Sequence, residues 1–238
     1  VKRLALALAA LLAWSAGAVC QAAPLPEPVD LFQYSKAPSR AYGFPSFRFW
    51  GWSKDGKIAY SIESEVEGRG GSRFEYVVLD LVSDEVLWSY PDDSETWDAY
   101  DEAVDGSFAQ YSYKHAAGIL GEALEAYEII VAPAAFSAFP IKSAGRTYEV
   151  SMKVEKERRA SPEDAIASYS VAIARDDGKA KTVTASSEVK ALAVYACGYL
   201  PSPFESRVAI AIAEERFVFE GTELFYSFAG CNLKVGFK

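Results

Sequence analysis

Two Asp-Gly pairs, each set between runs in which apolar and polar residues alternate, narrow what this chain can fold into more than any other feature. Asp55-Gly56 stands between Phe47-Arg48-Phe49-Trp50-Gly51-Trp52 and the run Ile58 to Glu63, and Asp177-Gly178 stands between Ala167 to Ala174 and Thr182 to Ala185. Alternation with a period of two places successive side chains on opposite sides of an extended backbone. Asp-Gly adopts positive φ at little cost, which closes a tight hairpin. The spacing therefore predicts antiparallel strands that pair with their neighbours in sequence.

The same pattern continues on both sides of a central break. Phe74 to Leu81 and Val86 to Tyr90 read as further strands, joined by Ser83-Asp84-Glu85, and Tyr148 to Val154, Ala191 to Ala196, Arg207 to Ile212 and Leu224 to Phe228 follow later. The glycines of Glu67-Gly68-Arg69-Gly70-Gly71-Ser72 lack a following helix and a Lys-Ser/Thr pair, so they read as a hairpin loop and not a phosphate cradle. From Ser94 the period changes. Trp97, Tyr100 and Val104 recur at helical spacing opposite Asp98, Asp101, Glu102 and Asp105, and Tyr113, Ala117, Leu120, Leu124 and Tyr127 continue a helical pattern. Phe108 to Lys114 also fits a strand, and helix is the expectation. Ser161-Pro162-Glu163-Asp164 carries a helix-start signal. The expected fold is mainly β: antiparallel meanders with propeller-blade-like units, forming a partial propeller or a sandwich, plus a central helical segment at about 94–127.

The first residues carry a different signal. Lys2 and Arg3 precede an apolar run from Leu4 to Trp14 and then the small residues Ser15, Ala16, Gly17 and Ala18, the pattern of a secretory signal peptide. This predicts a leader over 1–22, a mature start near Ala23, and export to the periplasm or beyond. Cys20 invites comparison with a lipoprotein anchor, but Gly17-Ala18-Val19 before it fits the lipobox poorly. A Pro-rich segment over 23–43 reads as an exposed linker, and 44–238 as a single mainly-β domain without a membrane span. The net charge of −9, more negative once Lys2 and Arg3 leave with the leader, repels phosphate backbones and argues against nucleic acid as a partner.

Gly51-Trp52-Ser53-Lys54-Asp55-Gly56-Lys57-Ile58-Ala59-Tyr60, followed by Tyr76-Val77-Val78-Leu79-Asp80-Leu81, resembles the blade motif of TolB-type and WD40-like propellers. Gly198-Tyr199-Leu200-Pro201-Ser202-Pro203-Phe204-Glu205-Ser206-Arg207-Val208-Ala209-Ile210 looks like a degraded form of it, with Phe204 and Glu205 where Asp-Gly would sit. A leader, one clear blade motif, a central helical segment and a C-terminal Ser-Pro strand together are similar to an uncharacterised family of predicted secreted bacterial proteins, some of them spirochaetal. The resemblance implies compartment and fold. It implies no activity and transfers no catalytic residue.

Few residues offer chemistry. Cys197 and Cys231 form an even pair in an oxidising compartment, which predicts a disulfide, with two buried thiols as the alternative. His115 is the single histidine, which excludes a multi-histidine metal site, and its context is that of a surface or packing residue. The acidic residues Asp92-Asp93-Ser94-Glu95 and Asp98 to Asp105 read as a solvated face and not a calcium loop. Lys153, Lys156, Arg158 and Arg159 interleave with Glu155 and Glu157 as a charged strand edge. No cofactor is expected. Aromatic residues make up 14% of the chain, and Phe47, Phe49, Trp50 and Trp52 crowd one segment. If alternate members face outward they form a binding platform; the other reading covers both sides, by the core and by the Pro-rich segment or the helices. The sequence thus leads to an envelope protein that binds another protein or a cell-surface polymer without catalysis. A hydrolase using paired carboxylates on a glycan is the alternative, and a purely structural envelope component a third.

Overall fold

The computed structural model describes residues 24–238 apart from 36, 40, 67, 69, 157–165 and 220, and the side chain of Glu188. The leader, Cys20, the helix-start signal at 161–164, and Glu67, Arg69, Glu157, Arg158 and Arg159 lie outside the described residues.

Strands β1 (Ser46–Trp52), β2 (Lys57–Val66), β3 (Gly71–Asp80) and β4 (Glu85–Asp93) form an antiparallel meander in the order β4-β3-β2-β1, which β5 (Ile130–Val131) extends past β1. A second meander joins β6 (Ile141–Ser143), β7 (Arg146–Lys156), β8 (Ile166–Arg175) and β9 (Ala180–Ala191), and a third joins β10 (Ala193–Pro201), β11 (Arg207–Val218) and β12 (Gly221–Asn232). The Asp-Gly turns form as expected: Gly56 and Gly178 take φ of 94° and 85°. At the first turn the Ser53 hydroxyl accepts from the Lys57 N–H at 2.8 Å and donates to Asp55 at 2.6 Å, so the hairpin closes on its own side chains. In the degraded motif Ser202 plays the corresponding part, with its hydroxyl accepting from the N–H groups of Phe204 and Glu205. The two turns touch. A Cβ at Gly56 would lie 2.7 Å from Glu205 Oε1, so glycine serves both the positive φ and the close approach.

The three sheets stack face to face with the third meander in the middle. Strand β11 shows why. Ala209, Ala211 and Ala213 point to one side and Val208, Ile210 and Ile212 to the other, all buried. The alanine side leaves room for large partners and meets Phe47, Phe49, Trp52, Tyr60, Val77 and Leu79 of the first sheet. The branched side packs on Ile141, Tyr148, Val171 and Ile173 of the second. A strand covered on both faces reads as a continuous apolar run, and Val208 to Ala213 is one. No closed barrel or propeller forms among the described residues, and the order through the stack is first, third, second meander.

Helix α2 (Phe108–Ala126) makes a fourth layer outside the first sheet, preceded by the four-residue α1 (Glu102–Asp105). Ser107 and Gln110 form a capping box at its start. Its buried face is Ala109, Ser112, Ala116, Leu120, Ala123 and Leu124, mostly small, which lets the helix lie close to Trp50, Phe74, Tyr76 and Val78. The strand alternative for 108–114 is therefore excluded, and the helix expected from Ser94 is corrected. Residues Ser94–Thr96 make only a 3-10 turn, and Trp97 and Tyr100 lie between the short elements, packed on Phe108 and Tyr111. Their helical spacing reflects packing onto a neighbouring helix, not membership of one.

The segment before β1 is not an exposed linker. Val29 pairs with Phe47, Leu31 is fully buried in the aromatic core, and Phe32 packs edge-on against Tyr195 at 5.1 Å. Among the described residues no helix is long and apolar enough to cross a membrane.

Candidate binding groove

The aromatic residues that sequence alone offers as a platform are all interior. Phe47, Phe49, Trp50 and Trp52 expose at most 2% of their surface. Alternation from Phe47 and Phe49 turns Trp50 outward under α2, and the pairing of β1 with β2 slips between Phe49 and Gly51, a bulge that brings Trp52 back to the face of Phe47 and Phe49 against the central sheet. Trp50 stacks near Tyr113 at 5.2 Å and donates its indole N–H to Ser61 at 3.2 Å. The covered reading is the correct one: core on one side, helix on the other, with Val29 and Leu31 of the Pro-rich segment closing the end.

The disulfide expectation is also corrected. Cys197 and Cys231 are free and buried. Cys197 belongs to the aromatic core on one face of the central sheet and Cys231 to the aliphatic core on the other, so the sheet stands between them. Burial pushes the Cys197 thiol up to about 12 and raises that of Cys231, which keeps both inert. His115 sits at the surface of α2, its ring 4.4 Å from Tyr111 and Nδ1 4.0 Å from Asp92 Oδ2. Asp92 in turn accepts the Trp97 indole N–H at 2.8 Å. No group of acidic, histidine or cysteine side chains among the described residues could hold a metal. Lys153 pairs with Glu155 on β7, as a charged edge does.

Sequence reading missed the most deeply buried carboxylates. Glu214 and Glu215 expose 8% and 4% of their surface. Glu214 accepts from Tyr169 at 3.0 Å and pairs with Arg216 at 2.7 Å; Glu215 accepts from Tyr195 at 2.7 Å, Ser39 at 3.0 Å and Thr222 at 3.1 Å. Burial, and then the adjoining carboxylates, raise the phenols, Tyr169 to about 12 and Tyr195 further. Being consecutive on one strand, the two acids point to opposite faces of the sheet. Glu214 ties the sheet to β8 of the second meander, Glu215 ties β10, β12 and the segment before β1 together, and the two do not face a common substrate.

The surface that is open lies where the first and central sheets splay apart, at the tips of the β2–β3 and β11–β12 hairpins. Three adjoining depressions of about 550, 480 and 150 Å3 share Glu65 and Glu223. Tyr42, Phe108 and the glycine hairpin line the first; Ile62, Glu75, Pro91, Phe225 and Tyr226 line the second; Phe44 and Glu63 line the third. Gly68 and Gly70 take positive φ at the tip and have nothing within 4 Å of a built Cβ, so they form the open hairpin loop expected. Of the lining residues Tyr42 is 86%, Phe44 48% and Phe225 40% exposed, and on the same hairpin Phe217 and Phe219, either side of the lining residue Val218, are 51% and 87% exposed. Tyr42 is fixed there by its N–H to Thr222 at 2.9 Å and by the bare backbone of Gly221, where a Cβ would strike its ring. Acidic residues dominate the charged lining, with Glu63, Glu65, Glu75, Asp92, Asp93 and Glu223 against Arg73, which Asp93 holds at 3.1 Å. The available signal was the crowding of Phe217 and Phe219 at a hairpin tip, where alternation has no core to serve.

Fold and groove together define a stack of three antiparallel meanders with a helix on one side and an acidic, aromatic cleft at one end. No family model, curated protein or solved structure matches this chain.

Proposed function

We propose that this chain is an exported, non-enzymatic binding module of the bacterial envelope that engages another protein or a cell-surface polymer through the groove at the β2–β3 and β11–β12 hairpins. One observation carries the reading: exposed Tyr42, Phe44 and Phe225 line one acidic cleft, and Phe217 and Phe219 stand exposed on the β11–β12 hairpin either side of Val218, which also lines it. Clustered exposed aromatic surface with a polar rim is the composition of an interaction site. The leader read from Lys2 to Ala18 supports export.

The test places a photocrosslinking residue at Tyr42, Phe219 or Lys179, the last an exposed position at the distant β8–β9 turn, in cells of the native host. The same adduct is expected from Tyr42 and Phe219 and none from Lys179. Adducts of equal yield from all three positions, or none from any, would remove the groove as the binding surface.

A further inference from the structure

The central sheet is a strand short. The other two meanders hold four strands each, whereas this one ends at β12 with a free edge beside the second depression of the groove. Four consecutive β12 residues, Glu223 to Tyr226, line that depression, which only an edge strand can do. Opposite lies the inward face of the first sheet beyond the reach of β12, where Glu75, Ser89 and Pro91 are exposed although this side of the sheet elsewhere packs in the core.

The edge itself has free hydrogen-bonding groups. Thr222 C=O accepts from Tyr42, Leu224 N–H donates to Gly43, and Gly230 N–H donates to Asp84, so the even-numbered residues of β12 point their backbone groups away from β11. Between those anchors Leu224 is buried beside the Tyr42–Gly43 segment, and the N–H and C=O of Tyr226 and the N–H of Phe228 have no hydrogen bond within the described chain. They span about 7 Å, enough for a three-residue strand.

The other long edges are guarded. Strand β4 contains Pro91 and a register slip, β9 contains two slips with Lys181 and Lys190, and β10 is slipped and capped by Ser137 against Tyr199. Strand β12 pairs with β11 through an uninterrupted register and contains neither Pro nor Lys, and its edge is covered at Glu223 and at Gly230 but open between them at Tyr226. Glu65 and Glu75 make the slot acidic and Arg73 is already engaged by Asp93, so a second copy of this acidic chain is repelled and a basic segment attracted.

We propose that β12 takes up an extended, lysine- or arginine-bearing segment of a partner protein as the fourth strand of the central sheet, by main-chain hydrogen bonds at Tyr226 and Phe228. This rests on the binding-module reading and narrows its partner to a protein. Alternate side chains of the segment lie over Ile62 and Glu75 on one side and beside Phe225 on the other.

The probe is a ten-residue peptide alternating valine and lysine, with valine and glutamate as its counterpart, and the readout is amide hydrogen exchange at Tyr226 and Phe228 in the isotope-labelled full chain. At a hundred times its Kd the basic peptide is expected to slow both amides about a hundredfold, and the acidic one to leave them unchanged. A Glu65→Lys, Glu75→Lys double variant changes only exposed side chains and is expected to weaken the basic peptide about tenfold or more. Unchanged exchange at saturating basic peptide, protection at β4 or β9 instead, or equal binding of the acidic peptide overturns the proposal. So does a dimer in which both amides are protected without peptide. Photocrosslinks at Tyr42 and Phe219 with unchanged Tyr226 exchange would sink strand addition and leave the binding module standing.

Discussion

Ala211 and Phe228 are directly opposite on β11 and β12 and share the aromatic core, where Phe228 packs 5.2 Å from Phe47 and 5.0 Å from Tyr60. The methyl of Ala211 is what leaves space for that ring. Ala211→Val forces two further methyl groups into a filled core and is expected to cost about 1–3 kcal/mol. Phe228→Leu removes ring atoms and leaves a cavity, at about 1–2 kcal/mol. In combination each change offsets the other, because the added methyls occupy space the ring has left. The double variant should be more stable than the sum of the two losses by at least about 0.5 kcal/mol. The control pairs Phe228→Leu with Ile173→Val, which is buried on the far side of the central sheet and should add independently. Urea denaturation gives each value, and a 2 kcal/mol loss corresponds to a melting shift of about 4–8 °C in a chain of this size. Strict additivity of Ala211→Val with Phe228→Leu, or a neutral Ala211→Val, would refute the placement of the first sheet against the alanine face.

Two further outcomes follow from the buried ionisable groups. Cys197 is raised from its ordinary value near 9, and Tyr169 from 10, each to about 12, so the unfolded chain releases these protons first. Stability is then fully present below pH 9 and declines as pH rises toward 12, by about 1.4 kcal/mol per pH unit for each group. A urea midpoint that stays constant from pH 8.5 to 11 would contradict this. The second outcome concerns the thiols: Cys197 and Cys231 should react with a thiol reagent only after denaturation, with identical mass patterns before and after reduction. An intramolecular bridge would show that the two residues do not lie on opposite faces of the sheet.

Much of the fold is legible because antiparallel hairpins are local. The alternation around Asp55-Gly56 and Asp177-Gly178 locates β1, β2, β8 and β9 from neighbouring residues alone. What covers each face is a non-local matter. Phe47 to Trp52 reads the same whether its outer side meets water or α2, and the bulge that brings Trp52 to the inner face shows only in the register with β2. Cys197 and Cys231 differ in face because Cys197 follows Tyr195 on the side of Ala211 and Ala213 while Cys231 lies opposite Val208, a matter of register with β11 that neither strand shows alone. Strands β5 and β6, of two and three residues, are too short to have a period. The groove was hidden because it joins Tyr42, Glu65 and Glu223, which only the stacking of distant hairpins brings together.

The order of the stack also sets a timetable for the chain as it is made. The first two meanders emerge earlier, each with one apolar face that only β10, β11 and β12 can cover. Until that last meander arrives, Phe47, Phe49 and Trp52 on one side and Val171 and Ile173 on the other have no opposing layer. The molecule thus closes like a book whose middle page is written last, and its earlier parts must stay apart and unaggregated in the meantime. A chain cut before β10 would retain most of its hairpins and lose the surface on which both halves depend.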